Sequence, residues 1–184
     1  MKKKKFNITV KDIALTGVLI AVIEVCKAAL SWAPNIELTS FWVIMFSLFF
    51  GKKIFFVIPA FILIEGAMYG FHLWWIMYLY IWPFLAIMTR IFRKMESAFS
   101  WAVFSGVFGL LFGFLCSLTY VPIGAWNGGF TNGVRMAFGW WVAGIPWDFV
   151  HGAGNFVLML VLYHPITRVM KRAGRMFEET KSCN

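Results

Sequence analysis

The chain has 184 residues, of which 61% are hydrophobic and only 14% charged, and its mean hydropathy is +0.76. Soluble domains sit nearer about 45–50% apolar and about 25% charged, so the composition points to an integral membrane protein with no room for an appended soluble catalytic domain. The net charge of +9 does not call for nucleic acid, because the cations gather at the ends of apolar runs, where membrane topology accounts for them.

No GxxxxGK[ST] phosphate loop occurs, so the chain carries no recognisable nucleotide-hydrolysing motif of its own. Cys26, Cys116 and Cys183 form an odd, widely spaced set without a CxxC pair. That argues against a disulfide framework or a zinc site. Lys2 to Lys5 ahead of an apolar run imitate a signal peptide. The run is long and carries Glu24 and Lys27, so it reads as a retained first helix.

In chain order, a first span over about 10–31 carries a small-residue stripe, Ala14, Gly17 and Ala21, which lets another helix approach closely. Near its far end Glu24 and Lys27 stand at i and i+3 and are expected to pair. Pro34-Asn35 marks a turn. A short second span, 37–50, ends at the basic turn Gly51-Lys52-Lys53, and a third, 54–69, contains Pro59 and Glu65. Buried Glu65 is expected to bond to a neighbouring helix. After a turn around Gly70, a fourth span, 73–94, opens on Trp74, Trp75, Tyr78, Tyr80 and Trp82 and closes on Arg90, Arg93 and Lys94. The fifth, 99–121, is rich in glycine. Pro122 to Phe138 then reads as a long outer loop.

The last span, 144–167, is expected to start at Pro146, which a first helical turn tolerates. Asp148, His151 and Asn155 at i, i+3 and i+7 line one of its faces. Residues 156–163 are apolar throughout. Polar side chains descending into a bilayer are costly unless they meet each other, a cavity or a ligand.

Six spans place both termini on one side. All but two of the 17 cations then fall on that side, which the positive-inside rule makes cytoplasmic. The exceptions are Lys27 and Arg135. The fold expected is therefore an all-α, six-transmembrane-helix bundle of one domain. Its outer turns bring Asn35, Glu37, His72, Trp74, Trp75, Tyr78, Trp126, Asn127 and Trp140 toward the polar stripe. Aromatic walls with a few directed polar groups suit a pocket for a mid-sized organic ligand. An interfacial aromatic belt is the plainer account, but the tryptophans concentrate on the outer side. No nucleophile with an oxyanion arrangement accompanies Asp148 and His151, and the spacing of His72, Asp148 and His151 matches no metal pattern. An enzyme and a metal site are thus not expected.

Pro34-Asn35-Ile36-Glu37-Leu38, Phe50-Gly51-Lys52-Lys53, Glu65-Gly66-x-x-Tyr69-Gly70-Phe71, Trp74-Trp75 and Gly144-Ile145-Pro146-x-Asp148-x-x-His151-x-x-Gly154-Asn155 resemble the substrate-binding S components of energy-coupling factor (ECF) vitamin transporters. The resemblance covers essentially the whole chain and is most specific in the last helix. It implies a six-helix protein of a bacterial cell membrane that binds one vitamin at its outer face as substrate, with no cofactor. It also implies docking, through the Ala14/Gly17/Ala21 stripe, on a transmembrane coupling subunit that works with two ATPases. Here Gly17 and Ala21 stand where the family has paired alanines. The Asn-Ile-Glu-Leu turn with Gly-Phe-x-Leu-Trp-Trp looks closest to cobalamin-type members. Riboflavin, or an autonomous carrier coupled to protons through Glu65 or Asp148, are the alternatives.

Overall fold

The computed structural model describes residues 9–182, with side chains described over 9–172. Lys2 to Lys5 and Cys183 lie outside the described residues, as do the side chains of Arg175 and Lys181. The described residues form helices and turns only: α1 (Val10–Ala29), α2 (Thr39–Phe49), a short 3₁₀ turn (Gly51–Lys53), α3 (Ile54–Tyr69), α4 (Leu73–Ile91), α5 (Ala98–Ser117) and α6 (Tyr120–Ser182). Helix α1 opens with a capping box in which the Thr9 side chain accepts from the Asp12 N–H and the Asp12 carboxylate accepts from Thr9. Helix α3 ends at Gly70, whose φ of 91° is open to glycine and strained for other residues.

Helix α2 is the centre of the bundle. Eight of its side chains from Thr39 to Ser47 are nearly inaccessible even though the helix is short, among them Phe41, Val43, Ile44, Met45 and Phe46. A helix buried on nearly all sides is expected to be apolar nearly all round; the exceptions here are Thr39, Ser40 and Ser47, and the Ser47 hydroxyl is satisfied by the Val43 carbonyl. Around it pack Ile54, Val57, Ile58 and Phe61 of α3, Ile81, Trp82 and Leu85 of α4, and Trp101 and Ala102 of α5. Helix α1 lies at the periphery. Leu19, Ile20 and Ile23 face inward, while Ala14, Gly17 and Ala21 are exposed and nothing approaches the Gly17 Cα within 4 Å of where a Cβ would sit.

The contacts gather the cationic turns at one end. Lys53 pairs with Asp12 at 2.7 Å, which holds the 3₁₀ turn against the start of α1. Arg90, at the end of α4, comes beside Gly51. The Tyr163 hydroxyl reaches the Glu96 carbonyl at 3.5 Å. At the opposite end lie the 30–37 connection and the Gly70 turn.

The largest departure from the expected topology is in α6. The stretch expected as a long loop, 122–138, is helical on both sides of a break at Gly128 and Gly129, and the last helix does not begin at Pro146. Gly129, at φ 79°, supplies the left-handed residue on which the chain reverses. The second arm then runs antiparallel to the first and to α5. Asn132 Nδ2 donates to the Gly124 carbonyl at 2.9 Å, Trp140 stacks on Tyr120 at 5.2 Å, and Gly152 packs on Gly109. Within the stretch read as a loop, Gly124 and Gly133 are instead the small surfaces that let two backbones touch. Pro122 falls in a first turn, where its missing N–H is tolerated. Pro146 and Pro165 stand inside the helix, which continues because long flanking runs and packing against α5 outweigh one lost backbone bond each.

Two helical stretches, Leu73–Ile91 and the run Ala98–Arg172, are long and apolar enough to cross a membrane. Helices α2 and α3 are shorter, and α1 interrupts its apolar sequence with Lys11, Asp12, Glu24 and Lys27.

The α5–α6 seam yields a direct test. A Cβ on Gly109 would stand 2.8 Å from the Gly152 Cα, backbone that has no room to yield. Gly109→Ala is expected to destabilise the bundle by about 1–3 kcal/mol. Gly17→Ala, in open space, should be neutral or stabilising by about 1 kcal/mol. Thermal unfolding of the two variants in detergent measures the contrast.

Candidate functional site: an aromatic chamber with a buried ion pair

A cavity of about 470 Å³ opens at the end remote from the cationic turns. Its walls come from five places in the chain: Lys27 and Ala28 at the end of α1, the 30–37 connection, Glu65 and Tyr69 of α3, Trp74 and Tyr78 of α4, and Phe112 with His151 from the α5–α6 pair. The rim depends on Asn35, the one non-glycine described residue with positive φ (57°). Asparagine tolerates this left-handed conformation better than most residues, which lets Pro34-Asn35 fold the connection back over the opening.

Lys27 and Glu65 meet at the base of the chamber. The ammonium and the carboxylate form a salt bridge, with the Glu65 side chain 1% exposed and that of Lys27 22%. The ammonium also lies over the faces of Tyr69 and Tyr78, each 5.5 Å from the ring centroid, and 5.9 Å from that of Phe61. Three ring faces and one carboxylate thus compensate a charge taken largely out of water. The expected Glu24–Lys27 pair does not form. Lys27 reaches across to α3, and a buried Glu24 oxygen has no hydrogen-bond partner. The reason is geometric: Glu65 is deeply buried and needs a cation more than Glu24 does, and Lys27 is within reach. Glu65 does bond to a neighbouring helix, as expected.

An aromatic column continues inward. Trp74 and Tyr78 meet edge to face at 5.1 Å, Tyr78 meets Trp82 at 5.2 Å, and Trp82 lies 5.8 Å from Phe112. Phe112 in turn stacks on the His151 imidazole at 4.8 Å. His151 is buried and its Nε2 has no hydrogen-bond partner, a costly state for a polar atom.

The sequence-predicted residues therefore divide. Asn35, Glu37, Trp74, Tyr78 and His151 line one chamber. Asp148 and Asn155 share the buried face of α6 with His151 but point into the α5 seam. The Asp148 carboxylate accepts from the Gly113 N–H at 2.8 Å, and Asn155 packs at Gly109. Trp75 serves the α3–α4 contact, donating through Nε1 to the Ile62 carbonyl at 2.8 Å. His72 is exposed, with its ring folded over Gly70. Trp126, Asn127 and Trp140 stand on the α6 hairpin outside the chamber walls, with Trp126 91% exposed. They were placed over the opening on the strength of a loop that is in fact two helical arms.

Lys27 and Glu65 were not counted among the binding residues. A signal for Lys27 was present: it is one of two cations stranded on the side opposite all the others. Among the described residues no group of three or more His, Cys, Asp or Glu is placed to hold a metal ion. Comparison of the chain with protein-family models, with curated proteins and with solved structures gave no match.

Removing Lys27 alone leaves Glu65 as an uncompensated buried charge. Lys27→Met is expected to destabilise by about 3–5 kcal/mol, whereas Lys27→Met with Glu65→Met should recover most of that loss. Chemical denaturation of the single and double variants closes the cycle.

Proposed function

We propose that the chain is the membrane-embedded substrate-binding subunit of an ECF-type importer, which captures a vitamin at the outer face of the cell membrane. In this reading the bundle crosses the membrane six times with both termini in the cytoplasm. The short α2 and α3 complete their crossings through the adjoining turns, and the hairpin tip of α6 stands on the outer side. The observation that carries the proposal is the chamber. It is a concave, aromatic-walled site of about 470 Å³, within the range of small-molecule sites, and it opens at the end of the bundle away from the cationic turns. Exposure of the Ala14/Gly17/Ala21 face on a peripheral helix supports docking on a transmembrane coupling subunit, with ATP hydrolysis left to two separate ATPase subunits. The protein is thus not itself the enzyme.

Cobalamin or a related corrinoid is the first candidate ligand, on the strength of the Asn35-Ile36-Glu37-Leu38 turn and the Trp74-Trp75 pair. Riboflavin or another vitamin is the alternative. Mass-spectrometric identification of the molecule that co-purifies with the chain decides between them.

Capture predicts that His151→Ala and Trp74→Ala each weaken retention of that molecule about tenfold or more, since each removes a wall of a desolvated site. Trp126→Ala, outside the chamber, should leave it within about twofold. Equilibrium binding to the purified, folded variants checks both.

Docking predicts a different split. Gly17→Leu should leave binding intact and abolish uptake in cells or liposomes containing the coupling subunit and ATPases. Uptake by the chain alone, without that module, would instead favour an autonomous carrier coupled through Glu65.

A further inference from the structure

Vitamin capture leaves one acid on α1 without a role. Glu24 stands half-buried behind the chamber wall, and its Oε1 is sealed from solvent with no hydrogen-bond partner. Glu65, across on α3, has a similar loose end. Its Oε2 holds the Lys27 ammonium, while Oε1 is buried and unpartnered. The two carboxyl groups are hydrogen-bonding neighbours. Two acceptors thus meet where α1 crosses α3, and an ionised carboxylate carries no donor of its own.

The groups around them do not supply the missing charge. Lys27 pairs with Glu65 and makes no ion pair with Glu24. Among the described residues that line the chamber it is the sole lysine or arginine. The 30–37 connection brings Glu37, a further acid, and α3 and α4 bring the phenols Tyr69 and Tyr78, whose faces meet the Lys27 ammonium. The Cys116 thiol of α5 lies within electrostatic reach of Tyr78, and the His151 imidazole of α6 is stacked on Phe112.

One ammonium and two carboxylates would leave an excess negative charge in a site largely removed from water, where adjacent like charges disfavour each other. A metal cation would need several more oxygen ligands. Among the described residues no group of three or more His, Cys, Asp or Glu is placed to hold one. A proton removes the excess charge and turns one of the two acceptors into a donor.

We infer that Glu24 and Glu65 share one bound proton, carried by Glu24 and donated to Glu65, so that the group Glu24, Glu65 and Lys27 is neutral as a whole. This proton site ties α1 to α3 behind the chamber. It goes beyond vitamin capture and does not rest on it, because the site is complete in the chain without a vitamin.

The test is made on the purified full chain in lipid nanodiscs with no vitamin added. Infrared difference spectroscopy separates the carbonyl stretch of an un-ionised carboxylic acid from the bands of carboxylates. At neutral pH, wild type minus Glu24→Gln should show that stretch; any signal from Asp148 is common to both and cancels. Glu65→Gln should lose it as well, since one carboxylate and one ammonium balance without a proton. Glu24→Gln should fold with the wild-type unfolding midpoint at neutral pH, because the amide keeps the shape of the neutral acid and a donor.

The folded wild type holds a proton that the unfolded chain has released, so raising the pH works against the fold. The wild-type midpoint should therefore fall from neutral to alkaline pH by more than that of Glu24→Gln. No acid stretch in the wild type, a stretch that survives in folded Glu65→Gln, or equal alkaline loss in wild type and Glu24→Gln would each overturn the inference. So would failure of Glu24→Gln to fold, or a stability that follows sodium concentration instead of pH. If Glu65→Gln does not fold, the comparison of wild type with Glu24→Gln decides alone.

Discussion

The arrangement of this molecule depends on one buried charge pair. Glu65 is sealed on α3 at the base of the chamber, and its only bonded cation comes from α1, 38 residues earlier in the chain. That pairing fixes how α1 lies against α3, and so where the 30–37 connection must cross. It also presses the Lys27 ammonium onto Tyr69 and Tyr78, which orients the aromatic wall. An apolar pair at the same positions could hold the helices together as well. It would not leave a polar chamber with rings turned toward a positive charge.

A second constraint sits at the α5–α6 seam. Gly106, Gly109 and Gly113 face Phe156, Gly152 and Asp148 in register, so the two helices approach to near backbone contact. The Asp148 carboxylate joins them further through the Gly113 N–H. Asp148 and Asn155 therefore build the wall, and His151, between them on the same face, is the member that reaches the chamber. The three polar residues share a face but divide into two structural roles and one that is available to a ligand.

Much of this was legible in the sequence. The helical class, the clustering of cationic turns, the inward face of Asp148, His151 and Asn155, and the shared position of Asn35, Glu37, Trp74 and Tyr78 all follow from periodicity and charge. Two features were not legible. Gly124, Gly128, Gly129 and Gly133 carry the same local signal whether they make a flexible loop or a tight helical hairpin. Only the partner on the opposite arm of the hairpin, the stacking of Trp140 on Tyr120 among other contacts, decides it. Nor does sequence spacing distinguish a Lys27 that bonds to Glu24 on its own helix from one that crosses to Glu65. Burial of Glu65 settles that choice, and burial is a property of the assembled bundle.

The chamber is built from both halves of the chain, with Lys27 near the beginning and His151 near the end. During synthesis the ammonium and carboxylate can meet once α3 has left the ribosome, long before the imidazole that closes the opposite wall exists. Until the return arm is made, the glycine face of α5 has no partner to cover it. Completion of the final helix is therefore the step that covers the α5 glycine face and closes the chamber's last wall.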